Sequence, residues 1–150
     1  MILTIIRIIN DLERIGDKAA KISRFASQMH DSARINIPRY TELKYMAGVA
    51  LKMLREALDA FARVDASAAA SVARQDKEVD EEFHLLTRQL ITYMMEDPRT
   101  ISTFIDLMFV AKAIERIGDH AKNISEYVVF MVKGINVRHA SLEVLEREVG

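Results

Sequence analysis

Cysteine and tryptophan are missing from this 150-residue sequence, and glycine and proline are scarce, at five and two. Without cysteine the chain can build neither a disulfide scaffold nor a thiolate metal site. So few helix breakers leave little to interrupt secondary structure, which excludes a collagen-like repeat and long disordered linkers. An excess of one charge is missing too. With 21 basic against 22 acidic side chains the net charge is −1, so there is no electrostatic footprint for nucleic acid or an anionic membrane surface. Long hydrophobic runs are absent: the apolar opening MILTIIRIIN is broken by Arg7 and followed by Asp11, Glu13 and Asp17. That falls short of the roughly 20 apolar residues of a membrane span, and no small-residue cleavage site marks a signal peptide. Neither a span nor a leader is expected. Nor does the sequence hold a Ser-His-Asp or Cys-His constellation, a Walker glycine loop or a dinucleotide fingerprint, so a non-enzymatic protein is expected.

Half of the residues are apolar, and they recur at the three- and four-residue spacing of amphipathic helices, never alternating as in strands. Ile5, Ile9, Leu12, Ala19, Ile22 and Ala26 predict one long helix within residues 1–29. Isoleucines at 2, 5, 6, 8 and 9 spread around its circumference, as in helices buried on several sides. Residues 30–39, HDSARINIPR, lack periodicity and read as a connector. A second helix starts near Tyr40 and carries Leu43, Met46, Ala50, Met53, Ala57 and Phe61 towards Arg63. Asp65 is placed to cap a third helix over 66–95 by accepting from free amides of its first turn. Asp97-Pro98 breaks the ladder, and Phe104, Met108, Ala111, Ile114, Gly118, Ala121 and Ile124 predict a fourth helix ending at Lys133-Gly134, a basic last turn before a capping glycine. The tail, 135–150, reads as a short helix or a frayed end. The fold class expected is all-α: a three-helix bundle over residues 40–134, preceded by a helix that stands outside it.

The sequence also repeats itself. Leu12-Glu-Arg-Ile-Gly-Asp17-Lys-Ala-Ala-Lys-Ile-Ser23 aligns with Ile114-Glu-Arg-Ile-Gly-Asp119-His-Ala-Lys-Asn-Ile-Ser125, with eight of the twelve pairs identical. The identities include Glu, Arg, Gly and Asp, which a shared helical pattern does not demand. Each copy is expected to close its own three-helix bundle, so the first helix reads as the last of a bundle whose two earlier helices lie outside this sequence. In each copy two carboxylates, Glu13/Asp17 and Glu115/Asp119, stand four apart on one helix face, where like charges repel by only about 0.3 kcal/mol. Asp76/Asp80 has the same spacing, and Asp76 interrupts the stripe Val72, Val79, Phe83, Leu86 and Leu90 where an apolar residue is expected. Carboxylate-only clusters suit hard cations such as Mg, Ca or Mn, and iron, better than tetrahedral zinc. Two readings stand side by side: the acidic pairs hold metal, or Arg14 and Arg116 pair with acids on neighbouring helices and the carboxylates only solvate a face.

Gly16 and Gly118 recur in mid-helix, where glycine costs about 1 kcal/mol against alanine, and predict close approach by another helix. His120 follows Asp119, but Lys18 takes that place in the first copy, so an exposed residue is expected. His30, His84 and His139 lie singly, and none is expected to bind metal. Met94, Met95 and Met108 lie on apolar stripes and are expected in the core. Two rivals remain. A carboxylate-bridged metal oxidase requires Glu-x-x-His on two helices, a pair the sequence does not supply. A bare helical dimerisation module would use the acidic pairs only for solubility.

The duplicated ERIGD segments resemble the PhoU family, whose hallmark is a Glu/Asp-x-x-x-Asp motif on helices of two tandem three-helix bundles. Glu13/Asp17, Asp76/Asp80 and Glu115/Asp119 correspond to three such motifs, and ALDAFARVD, RQLITYMMEDPRTI and AIERIGDHAKNI look like the family's second bundle. The likeness covers about residues 1–135 and departs at the start, where a typical member carries two further helices and a fourth acidic motif. It implies a cytoplasmic regulator, often a homodimer, that represses the phosphate-starvation response. Its implied partners are the ATPase subunit of the high-affinity phosphate ABC transporter and the phosphate sensor histidine kinase, with the membrane reached only through them. It further implies Fe, Mn or Mg on the acidic motifs, with Asp76, Asp80, Glu115 and Asp119 as the one complete site and Glu13 and Asp17 lacking their cognate pair.

Overall fold

Punctuation in the sequence sets the helix ends. The computed structural model describes residues 1–31, 40–137 and 142–149, and they form α1 (Ile2–Asp31), α2 (Tyr40–Arg63), α3 (Ala66–Glu96), α4 (Ile101–Lys133) and α5 (Leu142–Val149), with a 3-10 turn over Pro98–Thr100. The expected connector lies almost wholly outside the described residues, as does His139. Asp65 accepts from the Ala68 amide at 2.9 Å, satisfying a donor that has no partner within the helix. Asp97 ends α3 with extended backbone, φ −137° and ψ 96°, as a residue before proline is biased to do. Gly134 ends α4 at φ 71°, its N–H donating to the Phe130 carbonyl at 2.9 Å, in the left-handed geometry that favours glycine. Among the described residues there is no strand, and no helix is long and apolar enough to cross a membrane.

Helices α2, α3 and α4 pack on one another around Met46, Met53, Val79, Leu90, Leu107 and Ile124, all fully buried. A second apolar cluster lies towards the α2–α3 turn, where Ala60, Ala69, Ala70, Val128 and Val129 meet Val137 and Leu145 and so fasten α5 to the bundle. Met94 and Met108 sit half-buried at the core's edge. Met95, expected inside, is 79% exposed: one residue further along a helix is a turn of about 100°, which carries it off the face that Met94 shares.

Helix α1 packs along α4 and, among the described residues, on no other helix. It runs antiparallel: the Arg7 guanidinium lies 5.8 Å from the Tyr127 ring centroid and Phe25 stacks on Phe109 at 5.9 Å. The register that lays Glu13 on Glu115 also lays Arg7 on Phe109 and Phe25 on Tyr127, so those two contacts exchange with each other. The repeats are thus related by a local two-fold axis between α1 and α4. The buried stripe of α1 is Thr4, Ile8, Asp11 and Ile15, with Leu12, Ile22 and Phe25 half-buried beside it. The expected stripe is corrected here: Ile5, Ile9, Ala19 and Ala26 are exposed. Isoleucines occur in both phases near the N-terminus, so spacing alone did not choose the buried one. Ile2 at 76% and Leu3 at 72% exposure lie on the outer side.

Candidate metal centre

Four-residue spacing on α3 puts Asp76 and Asp80 on successive turns, and the packing of α3 on α4 brings Asp119 against them. One carboxylate oxygen from each of Asp76, Asp80 and Asp119 lies within 4.8 Å of the others. Asp76 is only 4% exposed. Its Oδ2 accepts from Lys122 Nζ at 2.9 Å, whereas the buried Oδ1 has no hydrogen-bond partner among the described residues. Gly118 keeps the space beside that oxygen clear: a Cβ there would lie 3.7 Å from Asp76 Oδ1, 3.6 Å from Val79 Cγ1 and 3.8 Å from Met53 Sδ. The close backbone approach expected of the recurring glycine is corrected: at Gly118 these neighbours are side-chain atoms at ordinary van der Waals distance. At Gly16 a Cβ would meet nothing within 4 Å.

Gathering these carboxylates raises the affinity of Asp80 and Asp119 for protons. Burial, then the fields of Glu115, Asp76 and Asp80, push the Asp119 carboxyl up to about 6 against the opposing Arg116. Asp80 is raised by burial and by Asp76 and Glu115, with Lys122 and His84 opposing. Burial alone lowers Lys122, but the Asp76 hydrogen bond and the fields of Asp76, Glu126 and Asp80 outweigh it and hold the ammonium above its ordinary value. Glu115 contributes to this field without joining the group of three. Lys112 Nζ sits 2.7 Å from its Oε2, at ion-pair distance but off the hydrogen-bond direction. Three convergent carboxylates, one of them with a buried and unpaired oxygen, match the demands of a hard multivalent cation.

The remaining residues singled out from sequence fall elsewhere. Glu13 and Asp17 are exposed on α1 in a groove they share with Asn10, Arg14, Lys18 and His120. No third acidic or histidine side chain joins them at ligand distance among the described residues. Arg116 pairs at 3.7 Å with Asp119 of its own helix, and not with a neighbouring one as the ion-pair reading expects. Glu81 and His84, a lone Glu-x-x-His spacing, are both exposed.

The expectation for His120 is corrected. Its side chain is 13% exposed and its Nδ1 lies 2.7 Å from Asp11 Oδ1, an oxygen that Asn123 Nδ2 also approaches at 3.4 Å. Asp11 is 7% exposed, and a buried carboxylate needs such partners. Sequence reasoning passed over Asp11, although the signal was there: it interrupts the Thr4, Ile8, Ile15 stripe as Asp76 interrupts its own.

Comparison with known proteins bears on the family and the fold. Residues 43–128 match the family model described as PhoU domain. A phosphate-specific transport system accessory protein PhoU homolog of Pseudomonas aeruginosa is 47% identical over 150 residues, covering 99% of this chain and 61% of that protein. The Escherichia coli K12 accessory protein PhoU is 42% identical over 98% of this chain and 60% of its own length. The crystal structure of PhoU from Pseudomonas aeruginosa superposes with a TM-score of 0.85 at 47% identity, over 89% of this chain and 64% of that one. A phosphate transport system regulatory protein PhoU from Streptococcus pneumoniae gives a TM-score of 0.80 at 29% identity, over 91% of this chain and 63% of that one. The chain therefore spans about three-fifths of the length of these relatives, and with more than half of its residues inside the family model it belongs to the PhoU family.

Proposed function

We propose that this chain is a negative regulator of phosphate homeostasis: an adaptor, not an enzyme, that binds the ATPase subunit of the high-affinity phosphate ABC transporter and the phosphate sensor histidine kinase in the cytoplasm and represses the starvation response. The observation that carries this reading is the 47% identity, over 99% of the chain, to a protein named as a phosphate-specific transport system accessory protein. Affinity co-purification from phosphate-replete and phosphate-starved cells tests it. Recovery of the ATPase subunit or the kinase, in amounts that change with phosphate, is the expected result. Recovery of neither by a folded chain overturns it and leaves a bare helical dimerisation module.

The same reading makes the carboxylate cluster a metal site. Asp76, Asp80 and Asp119 would hold the ion, with Glu115 supporting them through its charge. The buried, unpaired Asp76 Oδ1 and the absence of a side chain at Gly118 support the fit. The donor set is all oxygen, which favours Mn, Mg or Fe. A bound cation would neutralise the mutual repulsion of the three acids and fix α3 against α4. Calorimetric titration of the chain with Mn2+ is expected to show binding that Asp76→Asn abolishes.

A further inference from the structure

We propose that Lys122 is a built-in counter-cation of the acidic cluster, holding Asp76 when no metal is bound and giving it up when a multivalent ion enters, so that its ammonium sets the concentration at which the ion binds. The inference rests on the metal reading above and goes beyond it, by assigning to a residue outside the acidic motifs the control of that site.

Three observations carry it. First, of the two oxygens of the deeply buried Asp76, one faces the Lys122 ammonium at 2.9 Å and the other has no partner among the described residues. A buried carboxylate needs compensating positive charge, and Lys122 supplies it for half of the group only. Second, Lys122 is a flexible side chain reaching in from the rim. Its side chain is 37% exposed against 5% for Asp76, so it can withdraw where Asp76 cannot. Third, it has somewhere to go. A cavity of about 220 Å³ lined by Asp76, Lys77, Asp80, Lys122, Glu126 and Leu145 opens beside the cluster. Glu126, one turn along α4, is among the carboxylates whose field acts on the ammonium. A monovalent ion offers Asp76 no more charge than the lysine already does, whereas a divalent ion also satisfies Asp80 and Asp119. The arrangement therefore discriminates by charge. In the first repeat the equivalent of Lys122 is Ala20, so the counter-cation goes with the assembled cluster and not with the duplicated motif.

The test is calorimetric Mn2+ titration of the full 150-residue chain, with thermal unfolding of the metal-free and Mn2+-loaded forms alongside. Lys122→Met is expected to bind Mn2+ about tenfold more tightly, the equivalent of removing one competing charge-assisted hydrogen bond. Its metal-free form should melt lower, and the gap between metal-free and loaded melting temperatures should widen. Lys122→Gln carries the same expectation should the methionine variant fold poorly. Lys77→Met is the control: it lines the same cavity, and its affinity should change less than about twofold if contact and not general field matters. Unchanged or weaker Mn2+ binding in both Lys122 variants, or equal tightening in Lys77→Met, overturns the proposal while leaving the metal site standing. Absence of Mn2+ binding in the parent and in every variant overturns the metal reading itself.

Discussion

Glu13 to Asp17 and Glu115 to Asp119 are the same five residues in two settings. On α4 the motif faces α2 and α3: Gly118 is buried against Val79, Asp76 and Met53, and Asp119 meets two further carboxylates. On α1 the motif faces outward, with Gly16, Glu13 and Asp17 exposed. The two-fold relation between the helices explains why. The axis that pairs α1 with α4 turns the two acidic faces to opposite sides, and the described helices of the bundle occupy only one. An identical sequence thus joins a three-carboxylate cluster in one place and forms a solvent-exposed pair in the other. Its chemistry lies in the neighbours it meets.

The largest test of this contrast is bulk at the two glycines. Gly118→Leu has to displace Val79, Met53 or the Asp76 carboxylate, and we expect a loss of about 3 kcal/mol in urea unfolding. Gly16→Leu meets open space on a helix and is expected to be neutral or slightly stabilising. Equal losses at both positions would break the comparison.

Next comes a place where the two-fold relation is not kept. His120 holds the buried Asp11, whereas the residues equivalent to this pair in the other repeat are Lys18 and Ala113, and alanine offers a lysine no acceptor. His120→Ala leaves Asp11 with only the long contact to Asn123 and is expected to cost about 2 kcal/mol. Lys18→Ala should cost less than about 0.5 kcal/mol. The measurement is again urea unfolding, and a matching pair of losses would mean that the latch contributes nothing beyond side-chain packing.

These two pairs also mark what was readable in the sequence. Helices α2, α3 and α4 were legible because Met46, Met53, Val79, Leu90 and Ile124 recur at one helical phase, and because Asp65, Asp97-Pro98 and Gly134 punctuate the ends by local chemistry. The cluster was legible in part, since Asp76 stands out as a charge on an apolar stripe. The buried face of α1 was not, because its isoleucines support two phases and only contact with α4 selects one. Nor was the pairing of Asp11 with His120, 109 residues away: Asp11 marks itself as a break in an apolar stripe, but nothing in the periodicity names its partner. The partners of Lys122 and Lys112 were hidden for a related reason: a surface lysine reads alike whether it is solvated or leaning on a buried acid.

Charge at the two second carboxylates comes third. The Asp119 carboxyl, raised to about 6, binds protons more tightly folded than unfolded, so between its unfolded value near 4 and 6 the folded state holds more protons. Stability of the metal-free chain is therefore expected to fall as pH rises through that window and to stay low above it. Its side chain is 36% exposed, and after solvent screening the expected change is about 1 kcal/mol. Asp119→Asn should remove that loss at pH 7.5 in chelator and flatten the thermal-unfolding profile between pH 4 and 6. Mn2+ should restore stability to the parent above pH 6 and not to the variant.

The smallest effect is the sharpest for the comparison. Asp17→Asn is the same substitution at the equivalent residue, but there the only expected change is relief of the repulsion from Glu13, about 0.3 kcal/mol in favour of the folded chain and independent of Mn2+. Should Asp17→Asn instead weaken calorimetric Mn2+ binding as Asp119→Asn does, the α1 motif would be taking part in a site that this arrangement of helices does not contain. The contrast between the repeats would then have to be sought in how copies of the chain associate, since within one copy the two-fold axis holds the motifs on opposite faces.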